Sequence, residues 1–169
     1  MANICFVTNA NREFDDRDEP RYFEATKARG WSADVCCWDD PTVDWGQYDA
    51  AILRSPWNYI QALPEFLAWL RRIDQATTLL NPLSIVEPNV DKKYLLDWEA
   101  GGVPIVPTIL RHDADDFGPW PEFVMKPAVS AGSVHTYRMT QGDPLCATKA
   151  EQILRQSPLL IQPYVPSVS

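Results

Sequence analysis

The chain has 169 residues, of which 46% are hydrophobic, and a formal net charge of −8. This length and composition predict a globular protein of one large or two small domains and exclude a disordered chain. The negative charge argues against general binding to nucleic acid or to an anionic membrane, since both need a basic surface.

The first half of the chain alternates strand-like and helix-like segments. Short apolar runs predict four buried strands, at residues 3–8, 33–38, 50–53 and 78–80. Two helices are predicted between them, from Pro20 to about Arg29 and over residues 64–74, where apolar side chains recur at helical spacing. Such alternation is typical of a parallel, doubly wound sheet, which binds ligands at the carboxyl ends of its strands.

The segment RSPWNY, residues 54–59, directly follows the third predicted strand. It places a cation, two aromatic rings and an amide where such a sheet binds small polar ligands. Arg54 can pair a carboxylate through two parallel hydrogen bonds. We therefore predict a substrate site that contains Arg54, Ser55, Trp57 and Asn58. The alternative is a purely structural loop, in which Trp57 fills the core.

The pattern changes after Pro88, and we expect two domains, at residues 1–87 and 88–169. Asp91 is predicted to cap a helix that ends at the glycine pair of residues 101 and 102. The rest predicts a small α+β unit, with strands over residues 103–110, 123–126, 135–140 and 159–165 and a helix from residue 143 or 144 to about 156.

The most informative stretch is FVMKPAVSAGSV, residues 123–134. A short apolar strand brings in Lys126 and then breaks into a loop of small side chains. Small side chains let backbone N–H groups approach phosphate oxygens, and the lysine adds positive charge. These residues favour a polyphosphate site. The alternative is that Lys126 pairs with a protein carboxylate, such as Glu122 or Asp143.

The sequence gives no sign of a membrane span, a signal peptide or a metal site. Its apolar runs are short, and its N-terminus lacks a basic start. Four cysteines without disulfide or metal spacing predict free thiols, and we expect a cytoplasmic protein.

Three motifs in this order, DKKYLLDWEAGGVPIVPT, FVMKPAVSAGSV and LLIQPYV, resemble the ATP-grasp superfamily. RSPWNY, KPAVSAG and QPYVPSV are similar to its branch of O-ureido-serine cyclo-ligases, which act in cycloserine biosynthesis. The resemblance implies an α/β fold: a pre-ATP-grasp domain with a Rossmann-like parallel sheet over residues 1–87, then the first part of the ATP-grasp domain. That part would hold the central lid subdomain and the hinge strand, over residues 88–169. The family's C-terminal subdomain would be missing.

The resemblance also implies roles for particular residues. Lys92 would be the first phosphate-binding lysine, with Lys93 as the competing assignment, and Lys126 would be the second. The lid loop that folds over the phosphates would be Ser130, Ala131, Gly132 and Ser133. The hinge segment that binds adenine would be Gln162, Pro163, Tyr164 and Val165, although many relatives have glutamate at the Gln162 position.

The chemistry that the resemblance implies is activation of a carboxylate by phosphorylation from ATP, followed by attack of an amine or similar nucleophile. ATP and Mg²⁺ are the expected cofactors. The magnesium ligands and a catalytic arginine would follow the hinge segment, so we assign no catalytic residue. We expect the 169-residue chain alone to be inactive.

The expected partner is a small amino-acid-like molecule, with Arg138 as a weaker candidate for its binding. An unfinished sheet edge would also favour a homodimer. The alternative function is a non-catalytic module that binds a small molecule or a partner chain through its Rossmann-like half.

Overall fold

The structure, a computed structural model, describes residues 1–10 and 16–166. It divides into two compact units, Met1–Pro88 and Asn89–Ser169. No helix in the described ranges is long and apolar enough to cross a membrane.

The first unit is built on a parallel four-stranded sheet. Its strands are β1 (Asn3–Thr8), β2 (Ser32–Cys37), β3 (Ala50–Leu53) and β4 (Thr78–Leu80), in the order β2-β1-β3-β4. The interior strand β1 is buried along most of its length and has a neighbouring strand on each side. The predicted parallel sheet is confirmed.

Helices α1 (Glu19–Ala28), α2 (Leu63–Ile73) and α3 (Leu83–Asn89) belong to this part of the chain. α1 and α2 each have a proline in the first turn, where its missing N–H needs no partner. The apolar spacing of this segment predicts that Phe66, Leu67, Leu70 and Ile73 share the buried face of α2. The helix buries Phe66, Leu70 and Ile73 as predicted, but Trp69 takes the place of Leu67, which is only half-buried. α3 lies across the predicted domain boundary and was not expected.

The second unit holds an antiparallel four-stranded sheet. Its strands are β5 (Ile109–Arg111), β6 (Glu122–Pro127), β7 (Tyr137–Thr140) and β8 (Leu159–Pro163), in the order β5-β8-β6-β7. Two helices accompany it, α4 (Tyr94–Ala100) and α5 (Leu145–Leu154). Residues of α5 form a core with one face of the sheet, in which Phe123, Met125, Ile153 and Ile161 are almost fully buried.

Two predicted element bounds in this unit were wrong. Asp91 does not cap α4, which begins three residues later. Its Oδ1 instead accepts the backbone N–H of Lys93 at 3.0 Å, so Lys92 lies in a turn before the helix. The strand predicted over residues 103–110 is reduced to β5, because Pro104 and Pro107 have no N–H for a sheet hydrogen bond.

Candidate functional site

The alternation of β6 places Lys126 on the face of the second sheet that is turned away from the core formed with α5. Phe123 and Met125 point into the core, so Val124 and Lys126 point the other way. Val124 is paired with Gln162 across the antiparallel ladder, which makes Gln162 a diagonal neighbour of Lys126. The Nζ of Lys126 donates a hydrogen bond to Oε1 of Gln162 at 2.9 Å.

Lys126 is half-buried and its partner is a neutral amide. The two carboxylates that the sequence offered as partners are engaged elsewhere: Glu122 pairs with Arg138 at 3.0 Å, and Asp143 accepts the N–H of Leu145 at 2.8 Å. No described residue forms an ion pair with Lys126. Burial lowers the pKa of Lys126, so this ammonium group gains from any anion that reaches it.

A second half-buried lysine, Lys92, contacts the start of the lid loop. Its Nζ donates to the backbone oxygen of Ser130 at 2.8 Å and to the hydroxyl of Ser130 at 2.9 Å. Burial lowers the pKa of Lys92, and the positive charge of Lys126 lowers it further. The two lysines therefore form one region of positive charge.

Lys93, the competing assignment, lies in a different environment. Its side chain is 66% exposed, and its Nζ is 3.5 Å from a carboxylate oxygen of Asp91. The geometry thus favours Lys92 as the lysine that faces the loop.

The lid loop offers backbone donors beside these lysines. In the part of the chain that the structure describes, the N–H groups of Ser130, Ala131, Gly132 and Ser133 have no hydrogen-bond partner. Gly132 and Ser133 have positive φ, 59° and 60°, a left-handed conformation that is uncommon for serine. Successive free N–H groups in such a turn form a concave surface that binds anions.

The hinge segment continues from β8. Gln162 and Pro163 are its last strand residues, and the N–H of Tyr164 donates to the backbone oxygen of Glu122 at 3.1 Å. The guanidinium of Arg138 lies 3.7 Å from the centre of the Tyr164 ring and also pairs with Glu122. Val165 is exposed. Arg138 is therefore held beside the hinge segment by two partners.

The other predicted substrate residues lie in the first unit, after β3. Arg54 is paired with Asp16, at 3.2 Å from Nε to Oδ2, and its guanidinium lies 4.2 Å from the centre of the Tyr22 ring. It also donates to the Tyr22 hydroxyl. The positive charge of Arg54 is thus already paired with Asp16, and a ligand carboxylate would have to displace Asp16.

Ser55, Trp57 and Asn58 complete this loop. Ser55 is buried and donates to the hydroxyl of Thr8 at 3.0 Å. Asn58 accepts from the indole N–H of Trp38 at 2.6 Å and donates to Asp39 at 2.7 Å. Trp57 is 44% exposed, so the interpretation that it fills the core was wrong; Trp38 is the buried indole here.

The chain is similar to known proteins in sequence and in fold. Residues 4–81 match the family described as D-cycloserine synthetase DcsG, N-terminal domain. Over 99% of its length the chain is 35% identical to the cycloserine biosynthesis protein DcsG of Streptomyces lavendulae. The chain is similar to D-cycloserine synthetase over almost its whole length. The resemblance predicted from the sequence is confirmed.

Solved structures support the same fold. The crystal structure of D-cycloserine synthetase DcsG matches 99% of the chain with a TM-score of 0.84 and 32% identity. An ATP-grasp RimK domain protein from Sphaerobacter thermophilus matches with a TM-score of 0.71 at 17% identity, which shows the fold alone. The predicted fold class is confirmed. The chain spans about 60% of the length of the curated relative.

Two groups in these sites were not found from the sequence. Thr108 bonds to Gln162 although 54 residues separate them, and Asp16 bonds to Arg54 although 38 residues separate them. No local motif marks either residue.

Among the described residues, no group of three or more His, Cys, Asp and Glu side chains could hold a metal ion.

Proposed function

We propose that this chain provides the nucleotide-binding lysines, lid loop and hinge of an ATP-dependent ligase. The ligase activates a small carboxylate or amino-acid-like substrate by phosphorylation, for attack by an amine or similar nucleophile. The observation that carries the proposal is the pair of half-buried lysines, Lys92 and Lys126, which adjoin four free backbone N–H groups.

The charges of the site support a polyphosphate ligand. The positive charge of Lys126 lowers the pKa of Lys92 against the opposing effect of the Asp91 carboxylate, and no described residue forms an ion pair with either lysine. A ligand with several negative charges removes this repulsion and bonds to both ammonium groups. The free N–H groups of the lid loop then provide neutral donors for the remaining phosphate oxygens.

The proposed reaction has two steps. The γ-phosphoryl group of ATP passes to a carboxylate oxygen of the substrate, which gives ADP and an acyl phosphate. The nucleophile then attacks the acyl carbon, and inorganic phosphate leaves with the bonding electrons of the broken C–O bond. In such transfers the protein mainly positions the reactants and stabilises charge, and this is the work that the two lysines and the loop do.

The substrate class follows from the relatives and from Arg54. The matched proteins include D-cycloserine synthetase and a D-alanyl-alanine synthetase from Vibrio cholerae, whose names describe amino-acid-like products. We propose that the loop of Arg54, Ser55, Trp57 and Asn58 binds part of such a molecule. Its carboxylate would exchange with Asp16 at Arg54. Because ATP is the co-substrate and all four cysteines are free, we place the reaction in the cytoplasm.

The test is calorimetric titration of a non-hydrolysable ATP analogue, with magnesium, into the 169-residue chain and its variants. We expect Lys126→Met and Lys92→Met each to weaken binding roughly tenfold or more, a loss of about 1.4 kcal/mol. Lys93→Met is the matched control, because the exposed Lys93 side chain already pairs with Asp91, and this variant should bind like the wild type.

An unchanged affinity in Lys126→Met would contradict the proposed phosphate site. A wild-type chain that binds no nucleotide would contradict the proposed role of the chain itself and favour the non-catalytic module.

A further inference from the structure

The ammonium group of Lys92 is bonded mainly to one residue of the lid loop. Its Nζ donates to the backbone oxygen of Ser130 at 2.8 Å and to the Ser130 hydroxyl at 2.9 Å. A third, longer contact of 3.5 Å joins it to the backbone oxygen of Ala128. An ammonium group has three protons to donate, and two of them are therefore given to Ser130.

Lys92 needs such partners because its position is unfavourable for a charged side chain. It is half-buried, and the repulsion from Lys126 outweighs the attraction to Asp91. The side chain of lysine is long and flexible, and its ammonium group would otherwise turn toward water. The two oxygens of Ser130 oppose this movement, since hydrogen bonds from a charged donor are among the strongest in proteins.

The hydroxyl of Ser130 has no proton left for a ligand. It donates to the backbone oxygen of Pro127 at 3.2 Å, and it accepts from Lys92, because an ammonium group can only donate. The single proton of this hydroxyl is thus used within the loop, and a lone pair faces the lysine. The hydroxyl serves as an acceptor for Lys92 and not as a donor to a phosphate oxygen.

The backbone around Ser130 is itself fixed by its neighbours. The N–H of Lys92 donates to the backbone oxygen of Ala128 at 2.9 Å. The N–H of Val129 donates to the hydroxyl of Ser157, a buried residue just before β8, at 3.0 Å. Ser130 is therefore a fixed point to which the longer lysine side chain is bonded.

We propose that Ser130 is a positioning residue, whose hydroxyl contributes to nucleotide binding by holding the ammonium group of Lys92 in place and does not itself contact the phosphates. This inference rests on the proposed function, in which Lys92 binds a phosphate group. The third ammonium proton of Lys92, which has only the long contact to Ala128, is the one that a phosphate oxygen takes.

The first experiment needs no nucleotide. Acetic anhydride labels lysine side chains that have lost their proton, and mass spectrometry measures the rate at each lysine. In Ser130→Ala, Lys92 should react roughly tenfold faster than in the wild type, since the loss of one hydrogen bond lets the ammonium group release its proton more readily. Ser130→Thr keeps the hydroxyl and should keep the slow rate. The exposed Lys27 of α1 is the internal reference and should react equally in all three proteins.

The second experiment separates a positioning role from direct contact with the ligand. Calorimetry measures the affinity for a non-hydrolysable ATP analogue in wild type, Ser130→Ala, Lys92→Met and the double variant. Ser130→Ala should weaken binding several-fold in the wild-type background but not in the Lys92→Met background, where no ammonium group is left to position. A hydroxyl that bonded a phosphate oxygen would instead weaken binding by the same factor in both backgrounds.

An unchanged acetylation rate of Lys92 in Ser130→Ala, or an equal loss of affinity in the two backgrounds, would overturn this inference and leave the nucleotide site intact. A wild type that binds no analogue would overturn the proposed function, and this inference with it. Circular dichroism shows whether Ser130→Ala is folded. If it is not, Ser130→Gly removes the same hydroxyl and is expected to show the same two effects.

Discussion

At the scale of single residues, Lys126 carries its charge in a half-buried position beside a neutral side chain. Its Nζ lies 2.9 Å from the amide oxygen of Gln162, and burial lowers its pKa below the ordinary value of 10.5. A glutamate at residue 162 would pair with the lysine and raise its pKa again. The glutamine instead leaves the positive charge of Lys126 without an ion-pair partner among the described residues.

The lowered pKa of Lys126 predicts a pH dependence of stability. Between the lowered pKa and 10.5, the unfolded chain binds more protons than the folded chain, so the free energy of unfolding rises with pH through this window. In Lys126→Met the residue cannot titrate, and this contribution is lost. Urea unfolding of both proteins across the window, up to pH 10.5, should show the wild type gaining stability relative to the variant. A difference that stays constant with pH would show that the lysine titrates normally.

The contacts of these residues explain how far the site could be predicted from the sequence. Lys126 could be predicted as a site residue because the lid loop that marks it follows within a few positions in the sequence. Its partner Gln162 is 36 residues away, and the two meet only through the register of β6 and β8. Antiparallel register depends on packing of the whole sheet, so a single sequence does not reveal that contact.

At the scale of elements, buried strands were predicted best. The bounds of the two interior strands, β1 and β3, agree with the sequence to the residue, because interior strands of a parallel sheet are short and mostly apolar runs. The strand that leads into β5 was predicted too long, because prolines interrupt its alternating apolar residues and cannot donate sheet hydrogen bonds. The start of α4 was placed too early because Asp91 makes a local turn with Lys93 instead of a helix cap.

The lid loop gives a prediction that separates backbone strain from ligand contact. Gly132 and Gly142 both have positive φ, and a Cβ added to either would meet no atom within 4 Å. Gly132→Ala and Gly142→Ala should therefore each lower the free energy of unfolding by about 1 kcal/mol, through backbone strain alone. Only Gly132→Ala should also weaken binding of an ATP analogue, because only Gly132 lies in the loop with free N–H groups. Urea unfolding and calorimetry measure the two effects; equal affinities in the two variants would exclude a phosphate contact at Gly132.

At the scale of the whole molecule, the proposed nucleotide site is contained in one of the two compact units. Lys92, Lys126, the lid loop and the hinge segment all lie within Asn89–Ser169, whereas the Arg54 loop lies within Met1–Pro88. We propose that these units are the central part of the ATP-grasp domain and the pre-ATP-grasp domain. The expectation that the 169-residue chain does not turn over ATP stays a prediction.

This division predicts where a bound nucleotide stabilises the chain. A ligand that binds only the folded state slows local opening of the elements that it contacts. With a saturating ATP analogue, hydrogen exchange measured by mass spectrometry should slow in peptides that cover β6, the lid loop and β8. Peptides from β1 to β4 should exchange at their ligand-free rates, because none of the proposed phosphate or adenine contacts lies in the first unit. Lys126→Met serves as the control and should lose the protection at the same analogue concentration. Protection centred on the Arg54 loop would instead place the nucleotide in the first unit and contradict the assignment of both lysines.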